Sequence, residues 1–178
     1  MRILWFTNTP GLVSRSKNNT GGWISALQGQ FEKNTEHTLG MVFYADQHTE
    51  NFKEGSTHYF PVCRKGNTKL KRKWMQLIGT TEYKENIPQF LKIIEEFKPD
   101  LIHIHGTENP FGLFISEIED IPVLVSIQGI ITVYVRKYFS SINSYLLTDW
   151  RRNWNFWMAQ NFSIFKKKGK IEREIMSQ

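Results

Sequence analysis

The sequence predicts an α/β protein: a Rossmann-like three-layer sandwich around a mostly parallel central sheet, followed by a C-terminal helical segment. Three observations predict it. Short apolar runs of the kind that form strands buried on both faces occur at Arg2–Thr7, after Pro99 as Asp-Leu-Ile-His-Ile-His-Gly, and over 121–129 as Ile-Pro-Val-Leu-Val-Ser-Ile-Gln-Gly. Stretches with apolar residues at helical spacing lie between them. Strand and helix alternate along the chain, which calls for right-handed crossovers and a parallel sheet with helices on both faces.

The first strand, Arg2–Thr7, carries Ile3, Leu4, Trp5 and Phe6 without interruption and reads as a central strand. The loop over 8–20 is long for a strand-to-helix connection, and loops of that length in compact domains tend to line sites. Gly21 and Gly22 open a helix whose stripe is Trp23, Leu27 and Phe31 with Ile24 beside them, stopping near Asn34. Thr38–Ala45 reads as a second strand and 57–62 as a third, followed by a basic run over 64–73 that is assigned to a solvated loop. The clearest helix places Ile87, Phe90, Leu91, Ile94 and Phe97 on one face and Lys92, Glu95, Glu96 and Lys98 on the other. Pro88 suits its first turn and Pro99 its end. A further helix is expected over 111–118, between the last two strands.

Composition bounds the class. The chain has 178 residues, 40% of them apolar and 22% charged, enough for one domain of ordinary size with a real core. Cys63 is the only cysteine, so no internal disulfide forms. The first residues have neither the basic start nor the apolar run of a signal peptide, and no stretch is long and apolar enough for a membrane span. These features predict a cytoplasmic chain. The net charge of +6 is segregated: residues 1–133 hold fourteen basic and fourteen acidic side chains, and 134–178 hold nine against three. A charge surplus confined to the last quarter suggests an anionic partner for that segment.

Candidate chemistry gathers at strand ends. The first loop has neither the spaced glycines of a dinucleotide fingerprint nor the Gly-Lys-Ser/Thr of a P-loop. Gly21 and Gly22 at a helix N-terminus suit an anion such as phosphate, or simply permit a tight entry into the helix. His103 and His105, two apart in a strand, project from one face near the edge where open α/β sheets bind ligands. A metal would need a third ligand, for which Glu108 is the only near candidate, so no metal is assigned; one histidine is expected to pack on the sheet and the other to meet a ligand. Gln128 and Gly129 end the neighbouring strand, the amide reading either as buried and structural or as ligand-facing. No Ser-His-Asp or Cys-His arrangement stands out, so hydrolase chemistry has no support. The basic, aromatic tail lacks any recognisable nucleic-acid motif, and no nucleic-acid partner is assigned.

Taken together, Met-Arg-Ile-Leu-Trp-Phe-Thr with Gly21-Gly22-Trp23, then Lys-Pro-Asp-Leu-Ile-His-Ile-His-Gly-Thr-Glu, then Pro-Val-Leu-Val-Ser-Ile-Gln-Gly, resemble the N-terminal half of a GT-B glycosyltransferase similar to glycosyltransferase family 4. The resemblance runs to about Val133. It implies two Rossmann-like domains around a cleft, with the acceptor held by the N-terminal one and a nucleotide-sugar donor by the C-terminal one. It also implies retained anomeric configuration and a saccharide or lipid-linked acceptor in surface-glycan biosynthesis. No cofactor beyond the donor co-substrate is called for. Residues 1–133 correspond to the acceptor-side domain, and 134–178 to a helical extension packed on it and leading toward a donor domain that does not follow Gln178. The chain alone is therefore expected to be an incomplete, inactive transferase. Gly21 and Gly22 match the family's glycine loop, which approaches donor phosphates and acceptor, and His105-Gly106 match the end of its fourth strand. Gln128 falls where family 4 commonly has histidine; a glutamine binds a hydroxyl but serves as neither acid nor base. With Trp23, Glu108 and Gly129 beside them, these residues make the expected substrate- or phosphate-binding set, and no catalytic residue is assigned.

The tail allows two readings. Tyr134, Tyr138, Phe139, Tyr145, Trp150, Trp154, Phe156, Trp157, Phe162 and Phe165 interleave with basic side chains, and Trp150, Trp154, Trp157 and Asn161 share a helical face. Such a segment docks on an anionic membrane surface through residues 134–170, giving peripheral attachment at the inner face of the membrane. Equally, it forms a helical cover whose aromatics are core. The alternative to a transferase half is a non-catalytic module that binds a sugar or lipid phosphate.

Overall fold

The computed structural model describes residues 1–13, 22–33, 36–45, 47–63, 86–107, 109–138, 140 and 153–178, with the backbone alone at 138 and 153–163. The elements in order are β1 (Arg2–Thr7), α1 (Gly22–Phe31), β2 (Thr38–Ala45), β3 (Phe52–Glu54), β4 (Thr57–Cys63), α2 (Ile87–Phe97), β5 (Leu101–His105), a 3-10 helix (Pro110–Glu117), β6 (Val123–Ser126), α3 (Ile131–Tyr138) and α4 (Asn153–Met176). The six strands form one sheet in the order β3-β4-β2-β1-β5-β6. Every pairing is parallel except that of β3 with β4. This is the expected α/β fold of Rossmann-like type, with helices packed on its sheet.

Because side chains alternate across a strand, the central strands feed two cores. Leu4 and Phe6 of β1, Val42 of β2, Phe60 of β4 and Ile102 and Ile104 of β5 join Phe90, Ile94 and Phe97 of α2 and Phe111 and Phe114 of the 3-10 helix. The Phe6 ring touches three others, those of Phe90, Phe111 and Phe114, at centroid separations of 5.4, 5.7 and 4.8 Å. On the opposite face Ile3, Trp5, Leu39, Met41 and Tyr59 pack with Val13 and with Ile24 of α1. Burying each of these large side chains contributes about 1.5–3 kcal/mol, so the apolar runs of the central strands and the helix faces packed on them together hold the fold.

Three local expectations are refined or corrected. The helix expected over 111–118 is present, as a 3-10 helix over Pro110–Glu117. Its Gly112 is pressed against Ile175 of α4, so close that an added Cβ would stand 2.6 Å from the Ile175 Cγ2. The strand expected over 121–129 is shorter, because its ladder with β5 ends at the His105 and Ser126 pair. β3 escapes sequence reading, since three residues with two charges carry no alternation; it forms a hairpin with β4 around Gly55, whose φ is +60°.

The C-terminal part of α4 joins the sheet's second layer through Ile171 and Ile175, which bury beside Leu113. The basic run at 64–73 and Trp150 lie outside the described residues, as do the side chains of Trp154, Trp157 and Asn161. Among the described residues no helix is long and apolar enough to cross a membrane.

Candidate functional site

β1 pairs with β2 on one side and β5 on the other, so the direction in which successive parallel strands are added reverses between β1 and β5. Open α/β sheets offer a ligand crevice at such a switch point, beyond the C-terminal ends of the strands. The loops after β1, β5 and β6 all leave the sheet at that end. They are also cross-linked: the Asn109 side-chain amide donates to the Asn8 side-chain oxygen, and the Gly106 N–H donates to the Ser126 carbonyl at 2.9 Å.

Gly22 opens α1 with φ +49°, and its missing Cβ faces open space. Gly21 lies outside the described residues. Trp23 follows as the second residue of α1 and is 46% exposed, and Leu27 is exposed as well. This corrects the expected stripe of Trp23, Leu27 and Phe31: the buried residues of α1 are Ile24, Ser25 and Gln28, with Phe31 half-buried. The cause is Gln28. Its side-chain oxygen accepts the Leu12 N–H at 2.8 Å, and its amide donates to the Tyr59 hydroxyl at 2.7 Å and to Glu32 at 2.8 Å. This network turns Gln28 inward and leaves Trp23 and Leu27 on the outer flank of the helix.

Trp23 instead meets β5. Its ring lies 5.2 Å from that of His105, whose imidazole also sits 4.8 Å from Trp5 and 3.8 Å from His103. His105 is 1% exposed, and neither of its ring nitrogens has a hydrogen-bond partner among the described residues. Burial, reinforced by the neighbouring His103, pushes its pKa down to about 3, so the ring is neutral near pH 7 with one N–H donor and one acceptor nitrogen. His103 is the partnered member of the pair: its Nε2 lies 2.7 Å from the Ser126 hydroxyl, and burial lowers its pKa too. Gly106 is buried with φ +94°.

Gln128 is exposed in the loop after β6, and an added Cβ on Gly129 would lie 2.9 Å from the Tyr134 ring. The reading of Gln128 as a buried structural amide therefore fails. Glu108 lies outside the described residues. Among the described residues no group of three His, Cys, Asp or Glu side chains is placed to hold a metal ion.

The structure thus brings Trp23 and His105 into contact and sets Gly22, Gly106, Gln128 and Gly129 around the same sheet edge. Trp5, Thr107, Ser126 and Glu172 belong to the region as well, and sequence reading missed them as site-builders. Glu172 is 1% exposed. Its carboxylate accepts from the Ile131 N–H at 2.8 Å, from the Thr132 N–H and hydroxyl at 2.7 Å each, and from the Thr107 hydroxyl at 3.1 Å. Burial raises its pKa, and these bonds outweigh that, holding it below the usual carboxylate value. Nothing in the charged sequence around Glu172 signals this, because its partners lie 40 or more residues away.

Chemically, the arrangement offers an aromatic face and a neutral imidazole able both to give and to take a hydrogen bond, with an amide nearby on the same edge. Near neutral pH neither His105 nor Gln128 supplies an acid or base. The chain matches no protein-family model and no curated protein.

Proposed function

We propose that this chain is the acceptor-binding half of a GT-B glycosyltransferase similar to family 4, transferring a sugar from a nucleotide-sugar donor to a saccharide or lipid-linked acceptor with retained configuration. The observation that carries the reading is His105: a buried imidazole whose two nitrogens are unpartnered among the described residues, beside the Trp23 ring at the sheet's switch point. Leaving such groups unpaired costs about 1–3 kcal/mol each, and a sugar hydroxyl, donor and acceptor at once, would satisfy either nitrogen once the exposed Trp23 ring swings off the imidazole. Aromatic rings such as Trp23 supply the apolar face that sugar C–H groups pack on. Gly22, Gln128 and Gly129 add backbone and amide groups at the same edge.

In this reading the donor is held by a second domain, and the enzyme works on the inner face of a membrane. Support for membrane contact comes from Ile130, Val133 and Tyr134, all exposed, next to the exposed Arg136 and Lys137. The absence of an acid or base among His105 and Gln128 favours a second reading, a non-catalytic module for a sugar or lipid phosphate.

Extending the gene sequence past codon 178 and assaying the full product with a panel of nucleotide sugars tests the proposal. Sugar transfer that is lost in His105→Phe supports it. A stop codon at that point together with saccharide binding by the chain alone selects the module reading, and no saccharide binding by either form overturns both.

A further inference from the structure

Two loops carry the candidate site residues, one after β5 with Gly106 and one after β6 with Gln128 and Gly129. Beyond the Gly106 N–H to Ser126 bond at the sheet edge, one side chain spans both. The Glu172 carboxylate takes the Thr107 hydroxyl on one Oε1 lone pair and the Ile131 N–H on another, while its Oε2 takes the Thr132 amide and hydroxyl. Ile131 and Thr132 are the first residues of α3, so the carboxylate caps that helix from a distant element, satisfying two free N–H groups and complementing the helix dipole. α4, which bears Glu172, is held in place independently. Gly169 faces Thr132 and Val135 of α3, whose methyl carbons would lie 3.5 Å from an added Cβ, and Ile171 and Ile175 bury beside Leu113. The carboxylate is therefore a fixed post to which the loop after β5 is fastened directly and the loop after β6 through the first residues of α3.

We infer that Glu172 is the positioning residue of the site, coupling the loop at Gly106 and Thr107 to the loop at Gln128 and Gly129 so that the two move as one. That these loops hold a saccharide rests on the function proposed above; that Glu172 couples them does not. The residue most remote in sequence from the strand-end motifs then sets their spacing, which makes α4 part of the site and not an added cover.

The test is ligand-free, so it fails or succeeds separately from the saccharide reading. On the 178-residue chain, amide resonances of Gln128 and Gly129 are recorded by NMR for wild type, Thr107→Val, Thr107→Ser, Glu172→Gln and the Thr107→Val/Glu172→Gln double variant. Thr107→Val is expected to shift Gln128 and Gly129 although they lie more than twenty positions away, Thr107→Ser to restore them, and Thr107→Val to add no further shift once Glu172 is Gln. Hydrogen exchange at Thr132 is expected to quicken roughly tenfold or more in Glu172→Gln, while Ile104 in β5 stays protected. Equal shifts from Thr107→Val in both backgrounds, or none in either, overturn the coupling. Should Glu172→Gln fail to fold, the contrast of Thr107→Ser with Thr107→Val in the wild-type background decides alone: identical Gln128 and Gly129 spectra for the two overturn it.

Discussion

The Trp23 indole meets the His105 imidazole edge-on at a centroid distance of 5.2 Å, and that imidazole is the one fully buried side chain among the described residues with both of its polar atoms unpartnered. Groups kept at such a cost are where stability and function part. His105→Phe removes both unsatisfied nitrogens and keeps an aromatic ring against Trp5 and Trp23. It is expected to raise the melting temperature by roughly 2–4 °C per kcal/mol recovered while weakening saccharide binding. Calorimetry paired with a binding titration checks this, and a lowered melting temperature contradicts it.

Acid stability follows chiefly from two groups, whose windows overlap below pH 4.5. The His105 pKa is about 3 folded against 6.5 unfolded, so between those values the unfolded chain holds the extra proton and stability falls as pH drops through the window. His103 and His58, both lowered by burial, act in the same sense. The Glu172 carboxyl is depressed from its ordinary 4.5; its contribution is complete above that value and is lost as pH falls through its folded pKa. Urea midpoints at pH 7, 5.5 and 3.5 should show a shallower loss from 7 to 5.5 in His105→Phe than in wild type, and a shallower loss below 4.5 in Glu172→Gln. Parallel curves for all three proteins would refute the assignment.

Gln28 is fully buried and joins Leu12, Glu32 and Tyr59 across three elements. Gln28→Met keeps the length and removes the bonds, leaving the Leu12 N–H without its acceptor. A loss of about 2–3 kcal/mol in a denaturant titration is expected, against well under 1 kcal/mol for Leu27→Met on the exposed flank.

The contrast between those two positions explains what was legible in the sequence. Strands announced themselves wherever burial on both faces demands unbroken apolar runs, as in Ile3 to Phe6, and α2 did so through Phe90, Ile94 and Phe97. α1 misled because periodicity scores side chains by apolarity, and here a hydrogen-bonded glutamine took the inner face that Trp23 and Leu27 were expected to occupy. The site divides in the same way. His105, Gly106 and Gln128 were readable as strand-end residues, since strand direction alone places them. Trp5 had been counted as core only, and Glu172 was invisible, because hydrogen bonds across 40 residues and more leave no local pattern.

Gly112 of the 3-10 helix packs closely against Ile175 of α4. Gly112→Ala would bring its Cβ to 2.6 Å from Ile175 and is expected to cost about 1–3 kcal/mol. Adding Ile175→Ala should make the glycine substitution nearly neutral, giving a coupling of about 1 kcal/mol or more in a double-mutant cycle. Additive losses would place the strain elsewhere.

Vesicle sedimentation addresses the surface of α3. With Val133, Tyr134, Arg136 and Lys137 exposed, binding to vesicles containing anionic lipid is expected to weaken on Arg136→Glu/Lys137→Glu and on raising salt. Equal binding to neutral and anionic vesicles would remove the membrane from the proposal.

The fastening of both strand-end loops to Glu172 also imposes an order on synthesis. Chains leave the ribosome N-terminus first, so β1 through β6 can pair before the carboxylate that joins their loops exists. A nascent chain at that stage has its sheet but an uncapped α3 and an unseated Gly112. The two loops are free of each other until the final turns of α4 arrive, and a ligand that needs both at a set spacing meets a competent edge only once α4 has emerged and docked.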